Sequence, residues 1–388
     1  MPFAAALSTR PETACALDEV CAQVAGLAAP DLALVFFSPH HAEHADAVAD
    51  TLHGRLGPRA LLGCVGESVI GNDQEVEAQP ALSLWLAKWA GPVELEPFHL
   101  VLERTSEGFS LLGWPDAVVG ADPASSAMLV LGDPYSFPAD FFLAQVNQDY
   151  LGLRVLGGMA SGIAEQGECR LLRGREVHDQ GAVGVLLQGP LGLRSIVSQG
   201  CRPIGRHMVV TKAQDDIIFE LGGRPPLAQL QELWQSLDPH ERDLFQRGLH
   251  IGRVISEFQG DFQRGDFLVR NVRHLDRQTG ALVITDRVRV GQTVQFHVRD
   301  AATADEDLHA LLQLDLSAHA KRPAGALVFS CNGRGSRLFE EPHHDARAVR
   351  GEAGPIPLAG FFAAGELGPV GGQNFIHGFT ASVALFEE

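Results

Sequence analysis

Cysteines, basic residues and long apolar runs are all scarce in this sequence. Its six cysteines form neither a CxxC pair nor a regular series, so neither a zinc ribbon nor a disulfide framework is indicated. Thirty Lys and Arg residues stand against 48 acidic ones, which gives a formal net charge of −18. Such a chain repels a phosphate backbone, and we expect no nucleic-acid partner.

Signals for a membrane and for nucleotide cofactors are missing as well. No apolar stretch approaches the roughly 20 residues of a membrane-spanning helix. The N-terminal segment lacks the basic region that precedes the apolar run of a signal peptide. No GxGxxG follows a strand into a helix with a downstream acid, and no GxxxxGK[ST] occurs. We therefore expect a cytoplasmic protein without membrane insertion and without a cofactor.

The size and composition predict a globular protein of more than one domain. A length of 388 residues exceeds what a single hydrophobic core usually serves. Hydrophobic residues make up 45% and charged residues 20%, as in ordinary globular proteins. The chain has ample apolar material for a large core.

The sequence repeats one pattern three times. The pattern consists of a strand, a loop, a helix, a second strand, a glycine-rich loop and a third strand. The three copies begin at apolar runs 32–37, 128–131 and 326–329, pass through Gly63, Gly157 and Gly360, and end in strands 81–89, 182–187 and 379–386. In each copy, the loop after the first strand and the glycine loop should leave the sheet close together if the two strands are neighbours. Loops that meet at strand ends are where α/β folds bind ligands.

Between the second and third copies the pattern changes. A helix is predicted over 227–237, a charged hinge over 238–243, and half-buried antiparallel strands after it. The predicted fold class is α+β, with two domains of mixed β-sheets flanked by helices. We predict a lead-in with a helix over 1–27, an N-terminal domain over 28–225 and a C-terminal domain over 226–388.

Seven segments in a fixed order carry a resemblance to a known family. They are LLGCVGESVIG (61–71), LGGMASG (156–162), ELGGRPPL (220–227), RGDFLVRNV (264–272), VRVGQTVQFHVRD (288–300), FSCNGRGSRLF (329–339) and LAGFFAAGELGPVGGQNFIHGFTASVALF (358–386). Together they resemble the FIST family, with an N-terminal and a C-terminal FIST domain. The resemblance covers nearly the whole chain.

The resemblance implies a sensory protein that binds small ligands, with amino acids the suggested class. Relatives of this kind occur in bacterial signalling proteins and in a eukaryotic F-box ubiquitin-ligase subunit. We find no histidine-kinase, diguanylate-cyclase, methyl-accepting or F-box segment in this sequence. We therefore expect ligand binding to be relayed through an unknown downstream signalling protein.

The main pocket is predicted at the loops 330–337 and 364–374. Arg334, between two glycines, suits a ligand carboxylate, and Glu366 suits an amino group. Alternatively, Arg334 is exposed and solvated, Glu366 caps a turn, and the asparagines form turns. The predicted ligand-binding residues are Cys331, Asn332, Gly333, Arg334, Gly335, Gly365, Glu366, Gln373 and Asn374.

The N-terminal domain contains two further candidate sites. A second ligand pocket, if one exists, is predicted at Ser38, Cys64 and Glu67. His40 and His44 have the i, i+4 spacing of zinc ligands, but a third ligand is not evident. We expect a solvated helix start there and no metal site.

Cys331 carries the alternative function of a cysteine-dependent enzyme. Nearby arginines can lower the pKa of a thiol, and His343, His344 or His377 could act as the base. Against this, free cysteine is among the most buried residue types and can simply close a strand. We expect binding without turnover. A third possibility is a ligand-free interaction scaffold, which is favoured if the pocket is filled by Phe361, Phe362 and Phe375.

Overall fold

The structure is a computed structural model that describes residues 2–106, 108–258, 262 and 265–388. The chain folds into two compact units. The first holds Met1–Ser198 and Leu308–Glu388, and the second holds Gln199–Asp307. The predicted domain boundary at residues 225 and 226 lies inside the second unit and stays a prediction. The α+β class is confirmed, because helices flank mixed sheets.

The first copy of the repeat forms the centre of a six-stranded sheet. Its elements are β1 (Phe3–Ser8), α1 (Thr13–Gln23), β2 (Leu32–Phe37), α2 (Ala45–Leu56), β3 (Ala60–Val65), β4 (Ser68–Gly71), β5 (Gln74–Glu77) and β6 (Leu82–Ala87). Strand β2 is parallel to β3 and antiparallel to β6, and all three are buried along their length. Helix α2 buries Val48, Leu52 and Leu56, as their spacing predicts, and ends at Gly57. The predicted lead-in contains β1 in addition to α1.

The second copy repeats this arrangement. Its elements are β7 (Glu94–Thr105), β8 (Gly108–Leu112), β9 (Ser126–Gly132), α3 (Ala139–Asp149), β10 (Arg154–Met159), β11 (Leu171–Arg173), β12 (Glu176–His178) and β13 (Ala182–Gln188). Strand β9 is parallel to β10 and antiparallel to β13. The helix predicted at about 139–150 is confirmed by α3.

The second unit is a closed six-stranded barrel with helices. After β14 (Leu193–Gln199), the chain forms β15 (Cys201–Gln214), β16 (Ile217–Leu221), α4 (Pro226–Ser236), α5 (Pro239–Arg247), β17 (Leu249–Val254), β18 (Phe267–Leu275), β19 (Leu282–Ile284) and β20 (Thr293–Arg299). The barrel order is β15-β16-β19-β18-β17-β20. Strands β18 and β19 are antiparallel, as predicted.

The hinge predicted at 238–243 is wrong, because most of it belongs to α5. Asp238 accepts a hydrogen bond from the backbone N–H of Glu241, and the Glu241 side chain accepts one from the Asp238 backbone. This reciprocal capping box starts a helix. The many charges of the segment had suggested an exposed linker instead.

The third copy follows and completes the first unit. Its elements are α6 (Ala301–Ala318), β21 (Pro323–Cys331), α7 (His344–Ala353), β22 (Leu358–Ala363), β23 (Glu366–Val370), β24 (Gln373–His377) and β25 (Thr380–Glu387). Strand β21 is parallel to β22 and antiparallel to β25. The same three-strand core therefore occurs three times.

The copies exchange their hairpins in a cycle. The first copy's hairpin β4–β5 pairs with β22, the second copy's hairpin β11–β12 pairs with β3, and the third copy's hairpin β23–β24 pairs with β10. Each of the three open sheets in the described part of the chain thus ends, at one edge, in two strands that belong to another copy. Because of this exchange, the first unit requires both ends of the sequence.

Strand register makes the copies comparable residue by residue. Each first strand places a valine opposite the predicted glycine of the second strand, in the pairs Val35–Gly63, Val130–Gly157 and Val328–Gly360. Three residues after the valine stand Ser38, Asp133 and Cys331. The loop position of Cys331 therefore corresponds to Ser38 and Asp133.

The core of the first unit joins the copies through aromatic rings. Phe36 of the first copy stacks on Phe361 of the third, with 5.1 Å between ring centroids. Phe329 meets Phe361 edge to face at 5.9 Å. All three are 0–1% exposed, so Phe361 is a core residue. Among the described residues, no helix is long and apolar enough to cross a membrane.

Candidate functional site

A buried ion pair lies beneath the loop that follows β21. Arg334 Nε donates to Asp345 Oδ2 at 2.8 Å, and Nη2 donates to Oδ1 at 2.7 Å. Ser330 Oγ donates to the same carboxylate at 2.6 Å, and the guanidinium lies over the Phe339 ring. Arg334 is 1% exposed, so the expectation of an exposed, solvated arginine is wrong.

The ion pair sets the charge of Asp345. Burial by itself would raise the pKa of this carboxyl, but the Arg334 charge and its hydrogen bonds hold the pKa well below its usual range. Asp345 is therefore ionised. Two of the three guanidinium nitrogens of Arg334 bind the Asp345 carboxylate, and the third, Nη1, does not.

Four buried polar atoms in this region have no hydrogen-bond partner among the described residues. They are Arg334 Nη1, Asn332 Oδ1, Glu366 Oε1 and Glu75 Oε2. Buried polar atoms in native proteins nearly always have partners, and each exception calls for an explanation. A bound polar ligand would supply such partners. We define these four residues together with Cys331 and Asp345 as the polar cluster.

Glu366 is fully buried, and its carboxyl holds a proton. Its Oε2 accepts hydrogen bonds from Thr380 N at 3.2 Å and from Thr380 Oγ1 at 2.7 Å. Burial raises the pKa of Glu366 to about 8, against the opposing effects of Thr380, Arg334 and the Cys331 thiol. The carboxyl is mostly protonated at pH 7, so it can donate as well as accept a hydrogen bond.

Cys331 is a protonated thiol beside Glu366. Burial and the neighbouring Glu366 carboxyl together raise the pKa of Cys331 to about 12, although Gly333 N–H donates to Sγ at 3.4 Å. A thiol with this pKa holds almost no thiolate at neutral pH, and the thiolate is the nucleophile. The raised pKa therefore argues against a nucleophilic role for Cys331.

The three histidines considered as bases have other hydrogen-bond partners. His343 Nδ1 lies 2.9 Å from Glu75 N, and His344 Nδ1 lies 2.9 Å from Asp345 Oδ1. His377 Nε2 lies 3.0 Å from the carbonyl oxygen of Gly368. These contacts anchor α7 and the hairpin β23–β24.

The glycines of the predicted pocket shape its loops. Gly335 has φ of +57°, and a Cβ there would lie 2.8 Å from both Glu77 Oε1 and a Phe362 ring atom. The carbonyl oxygen of Gly365 accepts a hydrogen bond from Met159 N at 2.8 Å. Phe362 thus packs below Gly335, and a larger residue would displace it.

Gln373 and Asn374 lie away from the polar cluster. Asn374 Oδ1 accepts from Val155 N, and its Nδ2 donates to Leu153 O and to Asn147 Oδ1, at 2.8–3.0 Å. Its side chain is therefore fully used in fixing β24 to the second copy. Gln373 is exposed next to the hairpin turn. Gly371 and Gly372 form the turn, whereas Asn374 lies in β24, so the turn-forming alternative is wrong for this asparagine.

The residues of the predicted second pocket differ in their surroundings, and the pocket stays a prediction. The Glu67 carboxylate accepts hydrogen bonds from Arg337, on the loop after β21. Cys64 is fully buried, and burial raises its pKa well above the usual value. Ser38 Oγ is buried and accepts from Ala81 N at 2.9 Å. Only Glu67 is brought to the main loop.

All three copies meet at this loop. Glu67 N donates to Ser161 Oγ at 2.8 Å, and Ser161 Oγ donates to the Phe362 carbonyl oxygen. Because Glu67 belongs to the first copy, Ser161 to the second and Phe362 to the third, the polar cluster is enclosed by loops from the whole unit.

Sequence reasoning missed four contributors, namely Glu75, Glu77, Asp345 and Thr380. Glu75 Oε1 accepts from Ala346 N at 3.0 Å at the start of α7, and burial raises the pKa of Glu75 to about 7. Glu77 accepts from Ser336 N and Ser336 Oγ at 2.9 and 2.6 Å. The alternation of polar and apolar residues in QEVE predicts a strand. It does not predict that this strand lies in the sheet of the third copy.

Glu366 and Glu75 each stand at a hairpin position where the other two copies have an apolar residue. Glu366 faces Gly158, and the residues in the same register position of the other hairpins are Val69 and Leu171. Glu75 faces Ile70, and its counterparts are Val177 and Ile376. The same strand arrangement therefore forms without these carboxyls, of which Glu366 belongs to the third copy and Glu75 to the first.

The described part of the chain holds no group of three or more His, Cys, Asp and Glu side chains arranged for a metal ion. His40 and His44 are exposed on a short 3₁₀ helix, Pro39–His44, that precedes α2. His41, between them, is buried and lies 2.9 Å from Thr13 Oγ1 through Nδ1.

We expect Glu366→Gln to change how stability depends on pH. The folded-state pKa of Glu366, about 8, lies above its ordinary value, so the folded state keeps a proton that the unfolded state loses as pH rises. The free energy of unfolding should therefore fall from pH 5 to pH 8 relative to the variant, by up to about 1.4 kcal/mol per pH unit. Urea denaturation of both proteins at four pH values measures it. A constant difference between them would contradict the prediction.

Comparisons with known proteins agree with this architecture. The FIST N domain model matches residues 31–224, and the FIST C domain model matches residues 227–369. The uncharacterized protein Rv0628c of Mycobacterium tuberculosis is 43% identical over 390 residues, covering 100% of both chains. The uncharacterized protein Mb0898c of Mycobacterium bovis is 43% identical over 358 residues, covering 92% of this chain and 91% of the relative. The chain belongs to the FIST family.

Proposed function

We propose that this protein is a cytoplasmic sensor that binds a small polar metabolite, such as an amino acid, and relays binding to a partner protein. FIST domains are associated with sensory and signal-transduction roles, which supports the general class. The proposed ligand position is the polar cluster. Its proposed binding groups are Arg334 Nη1, Asn332 Oδ1 and the carboxyl of Glu366.

One observation carries the proposal: the cluster contains buried polar atoms without partners, and its carboxyls Glu366 and Glu75 stand where the other copies have apolar residues. Leaving a buried donor or acceptor unsatisfied costs about 1–3 kcal/mol. The apolar counterparts Val69 and Leu171 avoid this cost in the other copies. A buried carboxyl kept where similar copies have an apolar residue lowers stability, and proteins keep such arrangements mainly at functional sites.

The relay is proposed to run through the loop 332–341. Exposed Ser336 and Arg337 of this loop are bound to Glu77 and Glu67 of the first copy. Asn332 contributes both a cluster atom and, through its carbonyl oxygen, a hydrogen bond from Arg337 Nη1 at 2.9 Å. A ligand that engages Asn332 would shift the loop and alter the exposed surface that a partner reads.

A thermal-shift screen against amino acids and common metabolites tests the proposal. A ligand at a hundredfold above its dissociation constant should stabilise the folded state by about 2.7 kcal/mol. We expect Asn332→Ala and Glu366→Leu to remove the shift, because neither replacement can form the hydrogen bonds of the original side chain. Gln373→Ala is the matched control, because Gln373 is exposed near the hairpin turn. Equal shifts in all four proteins would place the ligand elsewhere, and no shift across the panel would favour the scaffold function.

The cysteine-enzyme alternative has weaker support. The raised pKa of Cys331 and the separate anchoring of His343 remove the features that activate a nucleophile. The scaffold alternative required phenylalanines to fill the pocket. Phe361 lies in the core and Phe362 packs below Gly335. Phe375 is partly exposed and contacts His377.

A further inference from the structure

A cavity in the first unit shares no lining residue with the polar cluster. It has a volume of about 360 Å³ and lies between the end of α2, the start of β3 and the hairpin β11–β12. Its lining contains four basic side chains, His53, Arg59, Arg173 and Arg175, and one acidic side chain, Glu176. The whole chain carries 48 acidic residues against 30 Lys and Arg residues. The lining therefore has the opposite balance of charge from the protein as a whole.

Two of these arginines can accept a further hydrogen-bond partner. Arg59 donates through Nη1 to Asp31 Oδ1 and to the Val93 carbonyl oxygen, both at 3.0 Å. Arg175 donates through Nη1 to Asp50 Oδ1 at 2.6 Å. The Nε and Nη2 groups of both side chains make no hydrogen bond to a described residue. Each arginine can therefore bind a second acceptor and keep its present carboxylate partner.

The carboxylates that bind these arginines leave the cavity accessible to an anion. Asp31 and Asp50 are not part of its lining. Glu176 is part of the lining and binds Arg173 across the hairpin. The side chains of Asp50 and Glu176 are 63% and 60% exposed. Ion pairs this exposed contribute little to stability, because water and salt screen them. A ligand that binds several arginines at once can share or displace these partners.

The three arginines are confined to one of the three similar sheets. Their counterparts in the other two sheets carry no positive charge. These counterparts are Leu153 and Ile356 for Arg59, Gly71 and Gly368 for Arg173, and the turns 72–73 and 371–372 for Arg175. Similar sheets thus form without arginines at these positions, and the repeat does not explain why three arginines converge on one cavity.

A phosphate monoester fits this lining in charge and in shape. Guanidinium groups bind phosphate oxygens through paired, charge-assisted hydrogen bonds, and one phosphate has enough oxygens to engage several arginines. Pro58 and Pro97 also line the cavity and offer apolar contacts to the organic part of such a ligand. A long polyanion is disfavoured, because the rest of the chain is acidic. The expected ligand is therefore a small molecule.

We propose that this cavity binds the phosphate group of a small phosphorylated metabolite, held by Arg59, Arg173 and Arg175. The polar cluster is a different place in the first unit. The cavity can therefore bind its ligand whether or not the polar cluster binds one.

Isothermal titration calorimetry in phosphate-free buffer tests the proposal with three pairs of compounds. The pairs are glucose 6-phosphate and glucose, glycerol 3-phosphate and glycerol, and phenyl phosphate and phenol. Inorganic phosphate and sulfate are titrated as well. We expect at least one ester to bind at least about tenfold more tightly than its own alcohol and than both inorganic anions. If no ester does so, the proposal is overturned.

Two arginine variants locate the binding. Arg173→Gln/Arg175→Gln should weaken binding of that ester at least about tenfold, because charge-assisted hydrogen bonds to the phosphate are lost. Arg59→Gln tests the same cavity from the loop before β3, and thermal melting checks that both variants fold. Arg104→Gln, at an exposed arginine beside another hairpin turn, is the matched control and should bind like the wild type. Unchanged affinity in the folded arginine variants of the cavity overturns the proposed site.

Discussion

Gly360→Ala is expected to prevent folding of the first unit. A Cβ at this position would lie 1.8 Å from the carbonyl oxygen of Val328, and both residues are in adjacent buried strands. Neither strand can move away from the other, because β21 and β22 are the two central strands of a six-stranded sheet. We expect a loss of more than about 4 kcal/mol, in the range where a protein of ordinary stability unfolds. Soluble yield and urea denaturation measure it.

Two more glycines refine this prediction. Gly157→Ala should have a comparable effect, because its Cβ would lie 1.9 Å from the Val130 carbonyl oxygen and its φ is +137°. Gly351→Ala is the matched control, because it lies in α7 with no atom within 4 Å of an added Cβ. Alanine in a helix should stabilise by up to about 1 kcal/mol. Normal folding of Gly360→Ala would show that the close approach of β21 and β22 can relax.

The sequence predicted the repeat well because its signals are local. Apolar runs such as 32–37 and 326–329 mark buried strands, and glycines such as Gly63 mark close approach between neighbouring backbones. The exchange of hairpins could not be predicted, because a short strand such as β4 can pair with any free sheet edge. Its true partner, β22, is almost 300 residues away in the chain.

The candidate site was predicted in part for the same reason. The loop residues Cys331 to Gly335 and the nearby Glu366 follow strands that neighbour each other, so their proximity could be foreseen. Asp345 was missed because nothing in HHDARA distinguishes a buried partner of Arg334 from a solvated helix start. Gln373 and Asn374 were grouped with the site by sequence proximity, yet β23 carries them away from it.

Arg334→Met alone is expected to destabilise the protein by about 3–5 kcal/mol. Removing one partner of a buried ion pair leaves the other charge uncompensated, and here that charge is Asp345, which is 1% exposed. Asp345→Leu should be destabilising for the same reason. The double variant Arg334→Met/Asp345→Leu should recover most of the loss, because a well-packed apolar pair often equals or exceeds a buried ion pair in stability. Urea denaturation of all four proteins completes the double-mutant cycle.

The double variant also separates stability from binding. If Arg334 and Asp345 serve mainly the fold, the double variant should stay destabilised. If they serve a ligand, the double variant should approach wild-type stability, with Ser330 Oγ and His344 Nδ1 losing their contacts to the Asp345 carboxylate. It should then fail to bind every compound that binds the wild type at the polar cluster. Wild-type stability of the double variant would therefore show that the fold does not depend on this ion pair.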